Sequence, residues 1–238
     1  MRAMTYDPAM NYDAVLIDAA ETLFTTRGSV GAIYGGVARR FGCTTPAPEI
    51  QKAFQRQFRH SGPLTTENEK QWWKDVVHRV FSDVGMVPDF DRFFEEVYEN
   101  FRDSRGWVLF AETHEVLDEL KRCGLKLGVI SNFDSRIYSV MRSLKILEFF
   151  DDVTISSETG YAKPHPGIFR AAIAACDEVP GRILFVGDNP VDDVEAGQAA
   201  GLHAVLIDRT GRYSGLSSLR RIENLRGIVP LLWMEIGN

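Results

Sequence analysis

The chain has 238 residues, of which 45% are hydrophobic and 25% are charged, a globular composition without the bias of disordered or fibrous proteins. Its formal net charge of −6 at pH 7 argues against broad binding to nucleic acid or to an anionic membrane surface. No stretch approaches about 18 consecutive apolar residues, and residues 1–13 lack a signal-peptide-like apolar segment, so we predict a cytoplasmic protein without membrane partners.

The three cysteines, Cys43, Cys123 and Cys176, are widely spaced in the sequence. They form no CxxC pair, so we expect no zinc site. An odd number of unclustered cysteines is typical of reduced thiols in an intracellular protein.

The predicted elements begin with the apolar run from Ala14 to Ile17, which indicates a buried strand ending at Asp18. Similar runs predict four more strands, over residues 126–131, 152–156, 183–187 and 203–207. Helical patterns lie between them, over residues 112–123, 134–144, 166–176 and 191–200. Strands that alternate with helices indicate an α/β fold with a doubly wound, parallel, Rossmann-like sheet.

Residues 28–103 interrupt this alternation. Apolar residues recur there at helical spacing, and no convincing strand is present. The predicted helices cover residues 29–41, 48–60, 67–84 and 90–102. We therefore predict that residues 28–103 form an α-helical cap domain, and that residues 1–27 and 104–238 form a discontinuous α/β core domain.

The third of these helices carries the adjacent residues Trp72 and Trp73. Neighbouring side chains on a helix point about 100° apart, so we expect that the two rings cannot both face one partner. Either one ring faces a cleft above the sheet, or both pack in the interior of the helical module.

Polar residues stand at the ends of four predicted strands, where doubly wound sheets bind their ligands. These residues are Asp18 after the first strand, Ser131 and Asn132 at the second, Lys163 after the third, and Asp188, Asp192 and Asp193 after the fourth. Each could instead end a strand or cap a helix, but their occurrence together at strand ends favours one shared site.

The order and spacing of these four segments resemble the four motifs of the haloacid dehalogenase (HAD) superfamily, subfamily I, with a helical C1-type cap in the first insertion position. The resemblance covers essentially the whole chain. It implies a HAD-like hydrolase in which Asp18 is the nucleophile and forms an aspartyl-phosphate, with Mg²⁺ as cofactor and a small phosphorylated metabolite as substrate.

The resemblance also implies roles for the other residues. Asp18, the backbone carbonyl of Ala20 and Asp188 would ligate the metal, and Asp192 or Asp193 would hold its water molecules. We prefer Asp193, because the run from Asp193 to Gly201 fits the family register.

Three further residues complete the implied site. Ser131 and the backbone amide of Asn132 would bind phosphoryl oxygens, and Lys163 would supply fixed positive charge to the nucleophile and the phosphate. Asp18, Ser131 and Lys163 are therefore the predicted catalytic residues.

The sequence departs from the phosphatase pattern at Ala20, where most phosphatases of the superfamily carry a second Asp as general acid and base. Loss of such a group typically costs about 10²–10⁴ in rate. Glu21 is adjacent, but we expect its side chain to point elsewhere in a tight turn. The sequence thus predicts that metal and phosphate binding are kept and that protonation of the leaving group is lost.

Three kinds of function stay open. A weak or specialised phosphatase is the prediction that we prefer. The second is related chemistry that needs no acid at position 20. Dehalogenases of the superfamily expel halide without a proton but lack the metal carboxylates, so Asp188 and Asp193 argue against this activity. A phosphonatase needs an imine-forming cap lysine, for which Lys52, Lys70 and Lys74 are the candidates. A non-catalytic protein that binds a phosphate ligand is the third, and the oligomeric state is open between monomer and homodimer.

Overall fold

The computed structural model describes residues 10–62 and 64–233. The outer ends of the predicted core domain, residues 1–9 and 234–238, lie outside this range. The strands are β1 Ala14–Ile17, β2 Phe24–Thr26, β3 Trp107–Leu109, β4 Lys126–Ser131, β5 Asp152–Ile155, β6 Ile183–Gly187, β7 His203–Ile207 and β8 Arg221–Ile222.

The helices outnumber the strands in the described residues. They are α1 Val30–Arg40, α2 Ala47–Arg59, α3 Glu69–Val84, α4 Phe90–Asn100, α5 Thr113–Arg122, α6 Arg136–Ser143, α7 Ser156–Thr159, α8 Pro166–Cys176, α9 Ala196–Ala199 and α10 Ile228–Leu231, with a π-helical segment over Pro190–Glu195. Within the described parts of the chain, no helix combines the length and the apolarity needed to cross a membrane.

The main sheet has six strands in the order β5-β4-β1-β6-β7-β8, and every pairing is parallel. After β1 the chain adds β4 and β5 on one side, and then crosses over to add β6, β7 and β8 on the other. The reversal of strand order therefore lies at β1, between β4 and β6. This arrangement confirms the predicted α/β fold with a doubly wound parallel sheet.

The sheet is covered on both faces, as the unbroken apolar runs predicted. Along β1, Val15 and Ile17 belong to one hydrophobic cluster, which includes residues of α5 and α6. Ala14 and Leu16 point the other way, into a second cluster that includes residues of α8. Because all four side chains are buried, each fixes the register of the central strand, and a one-residue shift would exchange the two faces.

Between β2 and β3 the chain forms four helices, α1 to α4, which we call the helical insertion. β2 and β3 pair antiparallel in a separate two-stranded sheet, with Phe24 opposite Leu109. This ribbon joins the insertion to the main sheet and was not predicted, because strands of three residues are too short to show an alternating pattern. The four helices themselves lie within about two residues of their predicted bounds at most ends.

Candidate active site

The carboxyl ends of three neighbouring strands meet at one edge of the sheet. Asp18 follows β1, Ser131 is the last residue of β4, and Asp188 follows β6. Because β1 pairs with both β4 and β6, these three residues lie side by side, about one strand spacing of 4.8 Å apart along the edge. The reversal of strand order at β1 thus puts polar side chains at the place where such sheets bind ligands.

Lys163 joins the residues of this edge. Its Nζ donates to Oδ1 of Asp18 and to Oδ1 of Asp193, at 2.6 Å in each case. Ser131 Oγ donates to the same Asp18 oxygen at 3.3 Å. All four side chains are almost wholly buried. The structure therefore brings together the three residues predicted as catalytic, Asp18, Ser131 and Lys163.

Asn132 holds the segment that carries Lys163. The Asn132 side chain accepts a hydrogen bond from the Lys163 backbone amide at 2.6 Å and donates to the Lys163 carbonyl at 3.0 Å. A side-chain amide that satisfies both backbone groups of one residue fixes that residue's position strongly. The Asn132 side chain thus positions Lys163, which the sequence did not indicate. The predicted role of Asn132 was a different one, the donation of its backbone amide to phosphate.

Three carboxylates crowd around this single lysine. Asp18, Asp188 and Asp193 each have a carboxylate oxygen within 4.8 Å of the others. Burial raises the pKa of Asp188 to about 8, with the charges of Asp18 and Asp193 adding to the effect. Burial also raises the pKa of Asp18, although the Lys163 charge opposes the rise.

Lys163 carries the balancing positive charge. Burial by itself would lower the pKa of Lys163, but the charges of Asp18 and Asp193 outweigh it and raise that pKa above its usual range. The lysine is therefore protonated at neutral pH. One cation facing three carboxylates leaves an excess of negative charge at the edge of the sheet.

The two adjacent aspartates after β6 have different surroundings. Asp193 is 1% exposed, contacts Lys163, and accepts a hydrogen bond from the Asn189 backbone amide at 2.9 Å. Asp192 is half-buried and accepts from the Asn189 side chain instead, at 3.0 Å. Asp193 therefore lies with the other two carboxylates, and Asp192 lies beside the N-terminus of the π-helical segment, where Asn189 caps the first amides.

Gly187, the last residue of β6, permits the close approach of Asp193. A Cβ atom at Gly187 would lie 2.3 Å from Asp193 Cγ, well inside van der Waals contact. Only glycine leaves room for the carboxylate at this point of the strand.

The loop after Asp18 is a tight turn. The Ala19 carbonyl accepts hydrogen bonds from the backbone amides of Thr22, Leu23 and Phe24. Ala20 is half-buried and lines a cavity beneath the helical insertion. No acidic side chain is thus available at the position of the usual general acid.

Glu21 contacts a neighbouring residue of the turn. Its Oε1 accepts a hydrogen bond from the Thr25 hydroxyl at 2.8 Å, and the residue also lines the same cavity as Ala20. That Glu21 does not replace the missing acid stays a prediction. The residue has φ 63°, in the left-handed region that costs a non-glycine residue about 1 kcal/mol or more.

The cavity has a volume of about 620 Å³ and lies between the helical insertion and the sheet edge. Trp73 lines it, and Trp72 donates from its indole nitrogen to the Gly62 carbonyl at 2.7 Å. The expectation that the two rings cannot face one partner was wrong, because both contact Phe58 with centroid distances of 5.9 Å. Phe58 is large enough, and near enough to the helix, to span the angle between them.

A cluster of polar contacts connects the helical insertion with the loop after β4. Trp73 Nε1 donates to Asp134, and Glu69 accepts hydrogen bonds from both the amide and the hydroxyl of Ser135. Arg136 pairs with Asp134 and its guanidinium lies 4.1 Å from the centroid of the Tyr98 ring. Sequence reasoning missed these residues. Trp73 and Glu69 bind partners that lie 61 and 66 positions away, and no local pattern marks the pair of Asp134 and Arg136.

Comparisons with known proteins agree with the fold. Residues 12–201 match the model of the haloacid dehalogenase-like hydrolase family. Haloacid dehalogenase-like hydrolase domain-containing protein 3 of Mus musculus is 34% identical over 203 residues, which cover 80% of this chain and 79% of that protein.

Two further matches carry different activities in their names. A phosphoserine phosphatase of Thermus thermophilus is 33% identical over 135 residues, which are 56% of this chain and 53% of that protein. The crystal structure of L-2-haloacid dehalogenase from Xanthobacter autotrophicus superposes on this chain with a TM-score of 0.70 at 17% identity. The superposition covers 92% of this chain and 98% of the other, and at this identity it shows the fold alone. The family model matches most of the chain, and the parallel sheet agrees with that match. The chain therefore belongs to the haloacid dehalogenase-like hydrolase family.

Proposed function

We propose that the protein hydrolyses small phosphate monoesters in a Mg²⁺-dependent reaction, through an aspartyl-phosphate on Asp18. The observation that carries the proposal is the contact of Lys163 with both Asp18 and Asp193, beside Asp188, at the carboxyl edge of the sheet. A buried nucleophile, a fixed cation and further carboxylates suit the transfer of a phosphoryl group. The phosphatase named among the relatives supports the same chemistry.

The residues fit a divalent cation that prefers oxygen ligands. Three carboxylates face one lysine, and the raised pKa of Asp188 is what a buried carboxylate without enough counter-charge shows. We assign Asp18, the Ala20 carbonyl and Asp188 as ligands of Mg²⁺, and Asp193 as the acceptor for its water molecules. When bound, Mg²⁺ would offset the negative charge of the phosphoryl oxygens.

Each reaction step is assigned to residues of the chain. A carboxylate oxygen of Asp18 attacks phosphorus, the bond from phosphorus to the ester oxygen breaks, and that oxygen keeps the electron pair. Water then attacks the aspartyl-phosphate, which releases inorganic phosphate, returns Asp18 and passes a proton to solvent. Lys163 and Ser131 orient Asp18, and Ser131 and the Asn132 amide bind phosphoryl oxygens.

The helical insertion would act as a cap domain over the core, with the boundaries at residues 28 and 103 as proposed from the sequence. Glu69 and Trp73 of α3 already contact the loop that follows β4, next to Ser131 and Asn132. A cover held against the sheet edge in this way excludes bulk water from the phosphoryl group during transfer.

The proposal is tested by assaying an aryl phosphate with and without MgCl₂, because an aryl leaving group needs little protonation. We expect hydrolysis that requires Mg²⁺ and is abolished by chelation. Turnover that continues at full rate in excess chelator would contradict the metal assignment. Tight binding of inorganic phosphate with no turnover of any ester would favour a non-catalytic binding protein instead.

A dehalogenase is the second candidate, because Ala20 leaves halide chemistry unaffected and the cavity beside it is mostly apolar. Such an enzyme would release halide from a 2-haloacid without Mg²⁺, and Asp188 and Asp193 would have no part in the reaction. A phosphonatase is less well supported, since no lysine is among the described residues that line the cavity. Lys70 and Lys74 are instead paired with Glu95 and Asp91 on the surface.

The affinity for Mg²⁺ should rise with pH, because the pKa of Asp188 is raised. Its pKa of about 8 lies above the ordinary value of 3.8, so the carboxyl group is protonated at pH 6 in the metal-free protein. Mg²⁺ must displace that proton, and we expect its affinity to rise up to about tenfold per pH unit between pH 6 and pH 8. Calorimetric titration at several pH values measures this, and a constant affinity would contradict it.

The same pKa shift predicts the stability of the metal-free protein. Between pH 4 and pH 8 the folded state holds a proton on Asp188 that the unfolded state has lost. The free energy of unfolding should therefore fall as the pH rises through this window. Saturating Mg²⁺ should restore the free energy of unfolding that is lost at pH 8.

Gly187→Ala should weaken Mg²⁺ binding by about 10- to 100-fold, the usual effect of disturbing a residue that supports a metal ligand. The added methyl group would displace Asp193 from its place beside Lys163. Gly181→Ala is the matched control, because a Cβ there meets nothing within 4 Å. Calorimetry with MgCl₂ compares the two variants, and equal affinities would show that Asp193 does not support the metal.

A further inference from the structure

We infer that the phosphate ester used by this protein has an aromatic leaving group, so that the substrate class is the monophosphates of phenols. The inference deepens the proposed function and rests on it. It follows from the shape and chemistry of the cavity beside Asp18, taken together with the missing acid at position 20.

The cavity is a direct extension of the strand-end site. Ala20 of the first loop and Asn132 of the second both line it, so it begins where a phosphoryl group on Asp18 would end. Its volume of about 620 Å³ exceeds what a phosphoryl group fills and lies within the range of small-molecule sites. The group esterified to the phosphate would therefore occupy this space.

Aromatic residues are the largest group in the wall. Nine of the 21 lining residues are aromatic: Tyr34, Phe54, Phe58, Trp73, Phe94, Tyr98, Phe101, Trp107 and Phe133. Many of these rings also hold one another, for example Phe101 with Trp107 at 5.8 Å and Trp107 with Phe133 at 5.4 Å between centroids. Such a rigid wall offers edge-to-face contacts to another ring without reorganisation.

Several polar groups of the wall already have hydrogen-bond partners in the protein. Trp73 donates to Asp134, and Trp107 Nε1 donates to the Phe101 carbonyl at 3.0 Å. The Ser29 hydroxyl accepts from the Ala32 amide at the start of α1. A sugar or glycerol placed here would bury several hydroxyl groups with few partners, and each unpaired one is costly.

The wall also lacks an available cation. Among its described residues, Arg136 is the one basic side chain, and Asp134 neutralises it through hydrogen bonds of 2.6 and 2.9 Å. Its guanidinium is further covered by the ring of Tyr98, at 4.1 Å. A substrate with a second anionic group, such as a phosphorylated amino acid or a bisphosphate, would find no unpaired positive charge in this space.

The missing acid leads independently to the same class. When Asp18 attacks phosphorus, the ester oxygen leaves with the electron pair and must take its proton from water, because Ala20 has none to give. A phenol has a pKa of about 10, as the tyrosine side chain does, whereas an alkyl alcohol lies near the value of about 16 for water. A phenolate therefore leaves without help, and an alkoxide does not.

The inference is tested by the binding of unreactive analogues to the Mg²⁺-loaded protein, measured by calorimetry. Phenylphosphonate and naphthylphosphonate should bind about 10- to 100-fold more tightly than methylphosphonate, because the ring buries apolar area in the cavity. In turnover, kcat/KM should be higher for naphthyl phosphate than for glycerol phosphate or phosphoserine. Equal affinities of the three phosphonates, or faster turnover of glycerol phosphate, would overturn the inference.

A matched pair of variants shows whether the cavity is responsible. Val30 lines the cavity and is half-buried, so Val30→Phe should fill part of the space and reduce the naphthyl-to-methyl affinity ratio about tenfold or more. Val179→Phe adds the same ring at an exposed position and should leave the ratio unchanged. An unchanged ratio in both variants would place the ring elsewhere and refute the inference.

These results separate the inference from the function on which it rests. Mg²⁺-dependent turnover without preference for a ring refutes the inference alone. A ring preference in phosphonate binding without turnover of any ester supports the ligand class and refutes the hydrolase. No binding and no turnover refutes both.

Discussion

Ala20→Asp is expected to raise kcat/KM for alkyl phosphates by about 10²–10⁴, the usual contribution of a general acid. Ala20 is half-buried and lines the open cavity, so the larger side chain has room beside the ester oxygen. For an aryl phosphate, kcat/KM should change little, because the phenolate leaves without a proton. Its kcat should rise, because the same carboxylate can activate the water that hydrolyses the aspartyl-phosphate. Steady-state kinetics with both esters measures the two effects.

Ala20→Asn is the matched control for this variant. Asparagine has nearly the same shape as aspartate but neither donates an acidic proton nor accepts one from water. We expect it to keep the parent's rates on both esters. A gain for Asn equal to the gain for Asp would mean that the volume of the side chain, rather than its acidity, limits the parent enzyme. Glu21→Gln should also leave the parent's rates unchanged, since Glu21 is bound to Thr25.

Asp18→Asn should abolish turnover, with a loss of about 10⁶ in kcat or to the limit of detection, as when a covalent nucleophile is removed. The amide is a poor nucleophile and cannot form the aspartyl-phosphate. The fold should survive, because Lys163 keeps its contact with Asp193 at 2.6 Å. Initial rates with an aryl phosphate and a thermal unfolding curve test both parts of the expectation.

Asp192→Asn is the matched control for the nucleophile variant. Asp192 lies in the same acidic segment but contacts Asn189 and is not among the three clustered carboxylates. We expect it to retain activity within a few-fold of the parent. A large loss in Asp192→Asn, with activity retained in Asp18→Asn, would mean that the nucleophile has been assigned to the wrong residue.

The main sheet could be predicted from the sequence because its strands are buried on both faces. The bounds of β4, β6, β7 and α8 are the predicted ones, since each is a compact, largely apolar segment that is followed by a polar residue. Such segments carry their structural information locally. The parallel arrangement followed from the alternation of these strands with helices.

The smaller elements could not be predicted in the same way. β2 and β3 have three residues each and exist only because they pair with one another across the helical insertion. The helix predicted over residues 191–200 is a π-helical segment followed by α9, a difference in hydrogen bonding that apolar periodicity does not reveal.

For the site, the strand-end pattern indicated which residues would meet, and the structure places Asp18, Ser131, Lys163, Asp188 and Asp193 together. Their roles stay proposals. The cavity could not be foreseen, because its wall draws on α1 to α4, on both strands of the ribbon and on the loop after β4. Specificity of this kind depends on contacts between distant segments, which no local pattern records.

The most direct test of the central claim is to trap the phosphoryl group on Asp18. Because Ala20 cannot activate water, hydrolysis of the aspartyl-phosphate should be the slow step with an aryl phosphate, and the covalent form should accumulate. Intact mass measurement after acid quenching should show a fraction of the parent heavier by one phosphoryl group, with peptide mapping to Asp18 and no adduct in Asp18→Asn. Turnover of the aryl phosphate without any adduct, or an adduct on another residue, would contradict the account.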